Sequence, residues 1–449
     1  MSLGDRIRHA RKALGMTQKQ LAGDDFSAAF ISQVERNVIT PSLASLRIIA
    51  ARLGQPVSHF LEADTGDRQN EIDLLINLGK VYLTRNALAE AEANLAKAER
   101  IAGEIGDLHR QAIAIRNLGA VAFYNGQQEQ AVQHFQAALE LLSNEEVYQE
   151  IAAGHFSLAS AYHHSGHLKL AIEHYLASLS ALEQEGSSDT TFRVRILGNL
   201  GNAFCRLGDL EQGITYHEEA LRLASEVSDF VHMGQNYMGL GLVYRDRGQL
   251  DKALECSQKG LEIFESLDNF KFIATLRVNI GVILADQGAW DDAYGHFLEA
   301  ARLNQRISNP RGEAYARYEL ARYHLHRGEY STALDCCQRS LELLEPLEDH
   351  LELARGQRLI GDACRAQGKL PRALEQYQLA AGLLQKLPVS TELAEVYHEM
   401  AKLHMALGDR DQALQFFQES SSLYRDLGGG RPLPEDNRQL RGLRTTAMV

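Results

Sequence analysis

Within twenty residues near the amino terminus, Gln18, Ser27, Ser32, Gln33 and Asn37 supply amide and hydroxyl groups, with Ala28 and Ala29 between them. A glutamine amide sets a donor beside an acceptor, the pattern that pairs with two atoms of an adenine edge. Hydroxyls reach bases or phosphates, and alanine methyls meet only a thymine methyl. Gln18 and Gln33 both offer that amide. Residues 1–60 hold eight Lys/Arg and four Asp/Glu, a net of +4, whereas the 449-residue chain carries −13. A basic head on an acidic body is the asymmetry expected when only the head meets nucleic acid.

A second set of polar groups recurs farther along. Asn77, Asn117, Asn199 and Asn279 stand in the strings NLG, NLG, NLG and NIG, and Asn202 lies close by. An amide carries donors and an acceptor, so it can hold a peptide backbone without reading its sequence. On the same helical face fall Arg116, Arg195, Arg245 and Arg322, then Arg355, Arg358 and Arg365, with Tyr315 and Tyr318 among the later ones. Converging guanidiniums suit a carboxylate such as a peptide C-terminus. Phe123, Phe156 and Leu242 add candidate apolar pockets. The competing readings are asparagines that satisfy a neighbouring helix and arginines engaged in ion pairs.

Other chemistry finds less support. His155, His163, His164, His167 and His174 crowd one stretch, and His163 and His167 are four apart, but Gly166 interrupts them and spacing sets no third ligand. Cys336 and Cys337 are adjacent and read as packing. The five cysteines form no C-x-x-C pair, so neither a disulfide framework nor a zinc site is expected. Phosphate-loop, zincin and nucleophile-elbow motifs are not found. No enzyme activity, metal or cofactor is expected. No apolar run reaches the length of a membrane span, and the basic start MSLGDRIRHARKALG lacks an apolar core for a secretory signal. A cytoplasmic protein is expected.

The elements that must position these groups are repetitive. Leu78-Gly79, Leu118-Gly119, Leu158-Ala159, Leu200-Gly201, Leu240-Gly241, Ile280-Gly281, Leu320-Ala321, Ile360-Gly361 and Met400-Ala401 recur every 40 residues, with one interval of 42. Seven residues after each small residue comes a helix-stopping glycine, from Gly126 to Gly408, with Asn86 in the first unit. Five later follows another small residue, and four after that often an aromatic: Phe135, Tyr175, Phe297, Tyr377, Phe417. Each unit reads as two helices joined by a glycine turn, small residues allowing close approach and large ones filling the gap. One unit cannot bury its apolar face, so neighbours must stack. HEAT or armadillo repeats share the period but not this signature.

The head reads as five helices. Leu3, Ile7, Ala10 and Leu14 are helically spaced; Thr17 caps TQKQLA; Ser27 caps AAFISQVERN; Thr40-Pro41-Ser42 opens LASLRIIAARLG; and PVSHFLE closes the domain. Residues 63–70 are polar and read as a linker. The stretch 428–449, rich in Gly and Pro at its start, reads as a flexible tail.

The motifs RIRHARKALGMTQKQLA, ISQVERN and TPSLASLRIIAARLG resemble the lambda-repressor-like (XRE) DNA-binding family over residues 3–62. The resemblance implies a recognition helix whose first turns enter the major groove, with Ser27, Ala28, Ala29, Ser32 and Gln33 facing bases and Gln18 and Asn37 facing phosphates. It departs in a turn one residue shorter than usual, with Asp25 near the customary glycine. Residues 71–427 resemble tetratricopeptide repeats of a longer variety. Repeats of that length and the shortened turn are both similar to the peptide-pheromone-responsive PlcR/PrgX/Rgg/Rap group; the LGN/Pins adaptors resemble the repeats too. That likeness implies an all-α chain: a five-helix head, then a right-handed superhelical solenoid of about nine 40-residue helix pairs. It also implies a dimeric transcriptional regulator that binds double-stranded DNA through residues 1–62 and a peptide, as in quorum sensing, through the asparagine and arginine face. The alternative is an adaptor that docks a signalling protein without a small peptide.

Overall fold

The computed structural model describes residues 3–143, 145–186, 189–387 and 390–426. The expected tail, 428–449, lies outside the described residues. All regular structure among the described residues is helical. The head comprises α1 (Leu3–Ala13), α2 (Gln18–Ala22), α3 (Ala28–Glu35), α4 (Leu43–Arg52) and the start of α5 (Val57–Thr84). Its caps are those the sequence suggests. The Thr17 hydroxyl accepts from the Gln20 amide while the Gln20 side chain reaches back to Thr17, a capping box. Ser27 and Ser42 cap α3 and α4. Ile7, Leu21, Ile31, Val34, Leu46, Ile49, Leu53 and Phe60 close the core. Leu14, expected on the apolar face, is 56% exposed, because α1 ends one residue before it.

Residues 63–70 are not a linker: they lie inside the 28-residue helix α5, which runs unbroken from the head into the first repeat. No proline interrupts the segment, and its one glycine, Gly66, costs about 1 kcal/mol of helix propensity. Anchors at both ends outweigh that cost: Phe60 is buried in the head and Ile72 in the repeat core. The expected last short helix of the head is thus the first two turns of a long one.

The repeats follow among the described residues: in the first compact unit α5 with α6 (Leu88–Ile105), α7 (Leu108–Tyr124) with α8 (Gln128–Leu141), α9 (Tyr148–His164) with α10 (Leu168–Glu185), and then α11 (Thr190–Leu207); in the second unit α12 (Leu210–Glu226), then α13 (Phe230–Asp246) with α14 (Leu250–Ser266), α15 (Phe270–Asp286) with α16 (Trp290–Arg306), α17 (Pro310–His326) with α18 (Tyr330–Leu344), α19 (His350–Ala366) with α20 (Leu370–Leu384), and α21 (Thr391–Leu407) with α22 (Arg410–Asp426). The turn glycines all have φ between +73° and +96°, and Asn86 has +57°. A Cβ at Gly119 would stand 2.6 Å from the Phe135 ring, one at Gly281 2.5 Å from Phe297, and one at Gly361 2.6 Å from Tyr377. The filler sixteen residues on therefore occupies the space that the small residue leaves. In two units the filler is a tyrosine whose hydroxyl meets the residue after the small one. Tyr175 meets the Ser160 hydroxyl at 3.2 Å, and the Tyr377 hydroxyl donates to Asp362 at 2.5 Å. Phe135 and Phe297 stand in the units with Ala120 and Val282 at that register. The chain divides into two compact units, 1–209 and 210–449, so the head and first repeats share one unit.

Candidate nucleic-acid interface and ligand face

Helix α3 is held from behind by a buried polar network. Glu35, 3% exposed, takes two bonds from Arg11, Nε to Oε1 at 2.5 Å and Nη2 to Oε2 at 2.9 Å. Arg11 also donates to the Met16 carbonyl at 2.6 Å. Burial alone would raise the Glu35 pKa, but hydrogen bonds from Arg11 and Gln18 and the charges of Arg11 and Arg8 outweigh it and depress the pKa. Gln18 was expected on a phosphate. Its Nε2 instead donates to Glu35 at 2.8 Å, which fixes the start of α2 against the end of α3.

The outer side of α3 is open. Ser27, Ala28, Ala29 and Gln33 are exposed and Ser32 is half-buried. The Ser27 hydroxyl is engaged in capping, accepting from the Phe30 amide at 3.0 Å. Asn37 ends the helix in the left-handed region at φ +57°. The Val38 and Asn37 amides bond back to Gln33 and Val34, closing a Schellman turn. The Asn37 Oδ1 accepts from the Gly4 amide at 2.9 Å, so this side chain also pins α1. Sequence reasoning missed what stabilises the shortened turn. Arg52 of α4 donates to the Leu21 carbonyl at 3.0 Å, to the Ala22 carbonyl and to Asp25. A Cβ at Gly23 would stand 2.6 Å from that guanidinium, so the turn's glycine makes room for the clamp.

The asparagine series divides. Asn117 is buried at 6% exposure and its Nδ2 donates to the Ile113 carbonyl at 2.7 Å; Asn199 does the same to Arg195 at 2.9 Å. At both places the amide donor serves its own helix, which corrects the expectation of a free backbone grip. Asn77 and Asn202 are exposed and Asn279 is half-buried. In the fifth pair the register holds Gly239, and a Cβ there would stand 2.5 Å from the ring of buried His217. Burial lowers the pKa of His217, and its Nδ1 meets Asn236 at 2.9 Å.

Most of the expected arginines are paired. Arg116 meets Glu150 at 3.5 Å. In the second unit Arg245 meets Asp246 at 3.0 Å and Asp286 at 3.9 Å, and Arg322 meets buried Glu319 at 2.7 Å. Burial raises the Glu319 pKa against the pull of Arg322, and it pushes the Tyr318 phenol up to about 12. Between α19 and α21 run Arg355–Glu392 at 2.8 Å, Arg358–Glu395 at 2.5 Å and Arg365–Glu399 at 3.1 Å. Their spacings of 37, 37 and 34 residues, one 40-residue period less one to two turns, were the available signal. Arg195 differs. No carboxylate lies within ion-pair distance of it among the described residues. Its guanidinium lies 5.0 Å from the Phe156 ring and 5.5 Å from Phe192. It borders a cleft of about 380 Å³ shared with Arg116, Glu150, Phe156, Ser157 and Phe192.

Of the crowded histidines two face each other, while His163, His164 and His167 lie against Tyr175, Phe123 and Tyr162. His155 and His174 face at 3.1 Å through Nδ1, and no group of three or more metal-ligating side chains occurs among the described residues. Burial pushes the Cys337 thiol up to about 12, a packing residue's behaviour. No helix among the described residues is long and apolar enough to cross a membrane.

An exposed α3 in a five-helix head, set on small-residue helix pairs, defines a helix-turn-helix protein with a repeat body. Residues 7–60 match the Helix-turn-helix family. Residues 119–295 match the MalT-like TPR region, and 70–144, 278–348, 314–386 and 394–427 match Tetratricopeptide repeat families. The chain is an XRE-type helix-turn-helix joined to tetratricopeptide repeats. The immunity repressor protein of Bacillus phage phi105 is 36% identical over 66 residues, 14% of this chain and 46% of that protein. The Rap protein complexed with competence and sporulation factor aligns with a TM-score of 0.56 at 17% identity, over 81% of this chain and 99% of that one. The apo form of the quorum sensor NprR from B. thuringiensis aligns at 0.55 and 15% identity, over 81% and 96%. These solved structures share the fold. The chain spans under half the length of the curated relatives it matches, 28% and 46%.

Proposed function

We propose that this protein is a sequence-specific, DNA-binding transcriptional regulator whose tetratricopeptide body binds a peptide that controls DNA binding. The observation that supports it most is the exposed outer face of α3, where Ala28, Ala29 and Gln33 stand clear of a helix whose inner side is fixed by the Arg11–Glu35 network. In this reading Gln33 reads a base edge, Ser32 assists, and a homodimer in the cytoplasm spans two half-sites. Arg195, set on Phe156 and Phe192 without a carboxylate partner, receives a carboxylate of the peptide, with Asn77 and Asn202 available to its backbone. NprR is a quorum sensor, and by likeness of fold the ligand is a signalling peptide of that kind. In the second unit Arg245, Arg322, Arg355, Arg358 and Arg365 are all ion-paired, which favours the alternative there: a face that docks a signalling protein. The test is to sequence DNA retained by the full chain, with and without short peptides encoded near its gene. An enriched palindrome whose recovery changes with one peptide, and no longer changes in Arg195→Ala, is expected. Random DNA in every arm sinks the reading.

A further inference from the structure

Six of the chain's exposed large apolar side chains lie on one edge of the second unit. Val227 (44% exposed), Phe230 (52%), Val231 (40%), Leu267 (40%), Phe270 (39%) and Leu347 (37%) all flank the turns that lead from one helix pair to the next. Val227, Leu267, Ile307 and Leu347 are 40 residues apart, so they occupy one register of the repeat. The first helices of neighbouring pairs touch from α13 through α19. The register therefore forms a row with steps of about 10 Å, the distance between packed helices. The residue after each is held in the left-handed region although it carries a side chain: Ser228 at φ +55°, Asp268 at +51°, Ser308 at +55° and Glu348 at +50°. In the first unit the turns after α6 and α10 use Gly106 and Gly186 there. A non-glycine residue in that region is strained, and its repetition marks an edge whose side chains are retained at a cost.

Charge along the row is uneven. The turn at Val227 carries Glu226, exposed and paired with Arg222 of its own helix, whereas the turn at Ile307 carries Arg306. Arg306 is exposed, and its guanidinium lies 4.2 Å from the Phe270 ring. A two-fold axis at the middle turn would set Leu267 and Phe270 against their own copies. It would also bring the acidic turn of each chain opposite the basic turn of the other. The constant step keeps the apolar side chains in register under that rotation.

We propose that this edge, from Val227 to Ile307, is the surface through which two copies of this chain pair. The surface is self-complementary in both spacing and charge, with Phe230 and Phe270 as apolar anchors and Glu226–Arg306 pairs across the axis. It stands independently of what the head or the peptide cleft binds.

Sedimentation of the full chain at micromolar concentration tests it. The unaltered chain sediments as a dimer. Phe230→Asp with Phe270→Asp raises the dissociation constant by at least about tenfold, the usual weight of a central aromatic anchor. Arg306→Glu dissociates the dimer, and adding Glu226→Arg to it restores pairing, because both reversed pairs reform across the axis. Circular dichroism of each variant checks helix content; if the double aspartate variant loses it, the charge reversal and its rescue decide alone. A monomeric unaltered chain, or a dimer indifferent to charge reversal, overturns the proposal, and the edge then belongs to another partner.

Discussion

Replacing Glu35 by alanine would strip the head of the one buried anion among its described residues and leave the Arg11 guanidinium, 9% exposed, without a counter-ion. Breaking a buried pair from one side costs about 3–5 kcal/mol. The lost bond from Gln18 adds roughly 0.5–1.5 kcal/mol. A head of about 60 residues is stable by on the order of 3–9 kcal/mol, at the usual stability per residue. The substitution should therefore remove half or more of that stability. Hydrogen exchange on the full chain reads it directly: amides of α1–α4 should exchange much faster, while those of α13–α22 stay protected. Removing both charges, with Arg11→Met and Glu35→Leu, should cost far less, since no orphan charge remains. Because the Glu35 pKa is depressed in the folded head, its contribution is present above the unfolded carboxyl value, about 4.3, and is lost as pH falls through the folded value. A loss under about 1 kcal/mol for Glu35→Ala, or a double variant as unstable as the single, would refute the reasoning.

Gln33→Ala should weaken specific DNA binding by about 1–3 kcal/mol and relax one base position, read by sequence selection; unchanged preference removes it as a reader. Gly281→Leu drives a side chain into Phe297 and should destabilise the second unit by about 1–3 kcal/mol or more in denaturant melts, with partial recovery in a Phe297→Ala background. His163 is held down to about 4 by burial and by the neighbouring Arg206 and His164. It is neutral at pH 7, and its contribution to stability is full above the unfolded value near 6.5 and is lost as pH falls toward 4. NMR titration of its ring should show the low value, and a ring titrating above 6 contradicts it. Gly66→Ala should stabilise α5 by about 0.5–1 kcal/mol, because a Cβ there meets nothing within 4 Å, while Gly66→Pro should break it, both read by circular dichroism and exchange.

The repeat was legible because its rules are local. Gly281 and Phe297 are sixteen residues apart within one helix pair, so the fit of small against large is written within one stretch of sequence. The caps at Thr17, Ser27 and Ser42 and the left-handed Asn86 were legible for the same reason. What sequence left open depends on neighbours farther along. Whether Arg358 is free or paired is decided by Glu395, 37 residues away. Asn117 could not be assigned because its choice between a ligand and the Ile113 carbonyl turns on how deeply the next pair buries it. Polarity suggested a linker at 63–70, but the anchors Phe60 and Ile72 at either end set its helical state. The Arg52 clamp on the shortened turn joins residues about 30 positions apart and leaves no periodic trace.

The unbroken α5 gives the head a rotational phase. Each helical residue turns the chain by about 100° and advances it by 1.5 Å. One residue inserted beside Gly66 would swing the recognition helix about a quarter turn around the α5 axis while leaving every contact in the head and in the repeats intact. Seven inserted residues would restore the phase to within about 20° and displace the head by roughly 10 Å. A pair of heads reading a fixed site on the duplex would lose it with the first insertion and partly regain it with the second. If the head binds DNA as proposed, the length of α5 modulo its turn is thus a coordinate of recognition that no single side chain encodes.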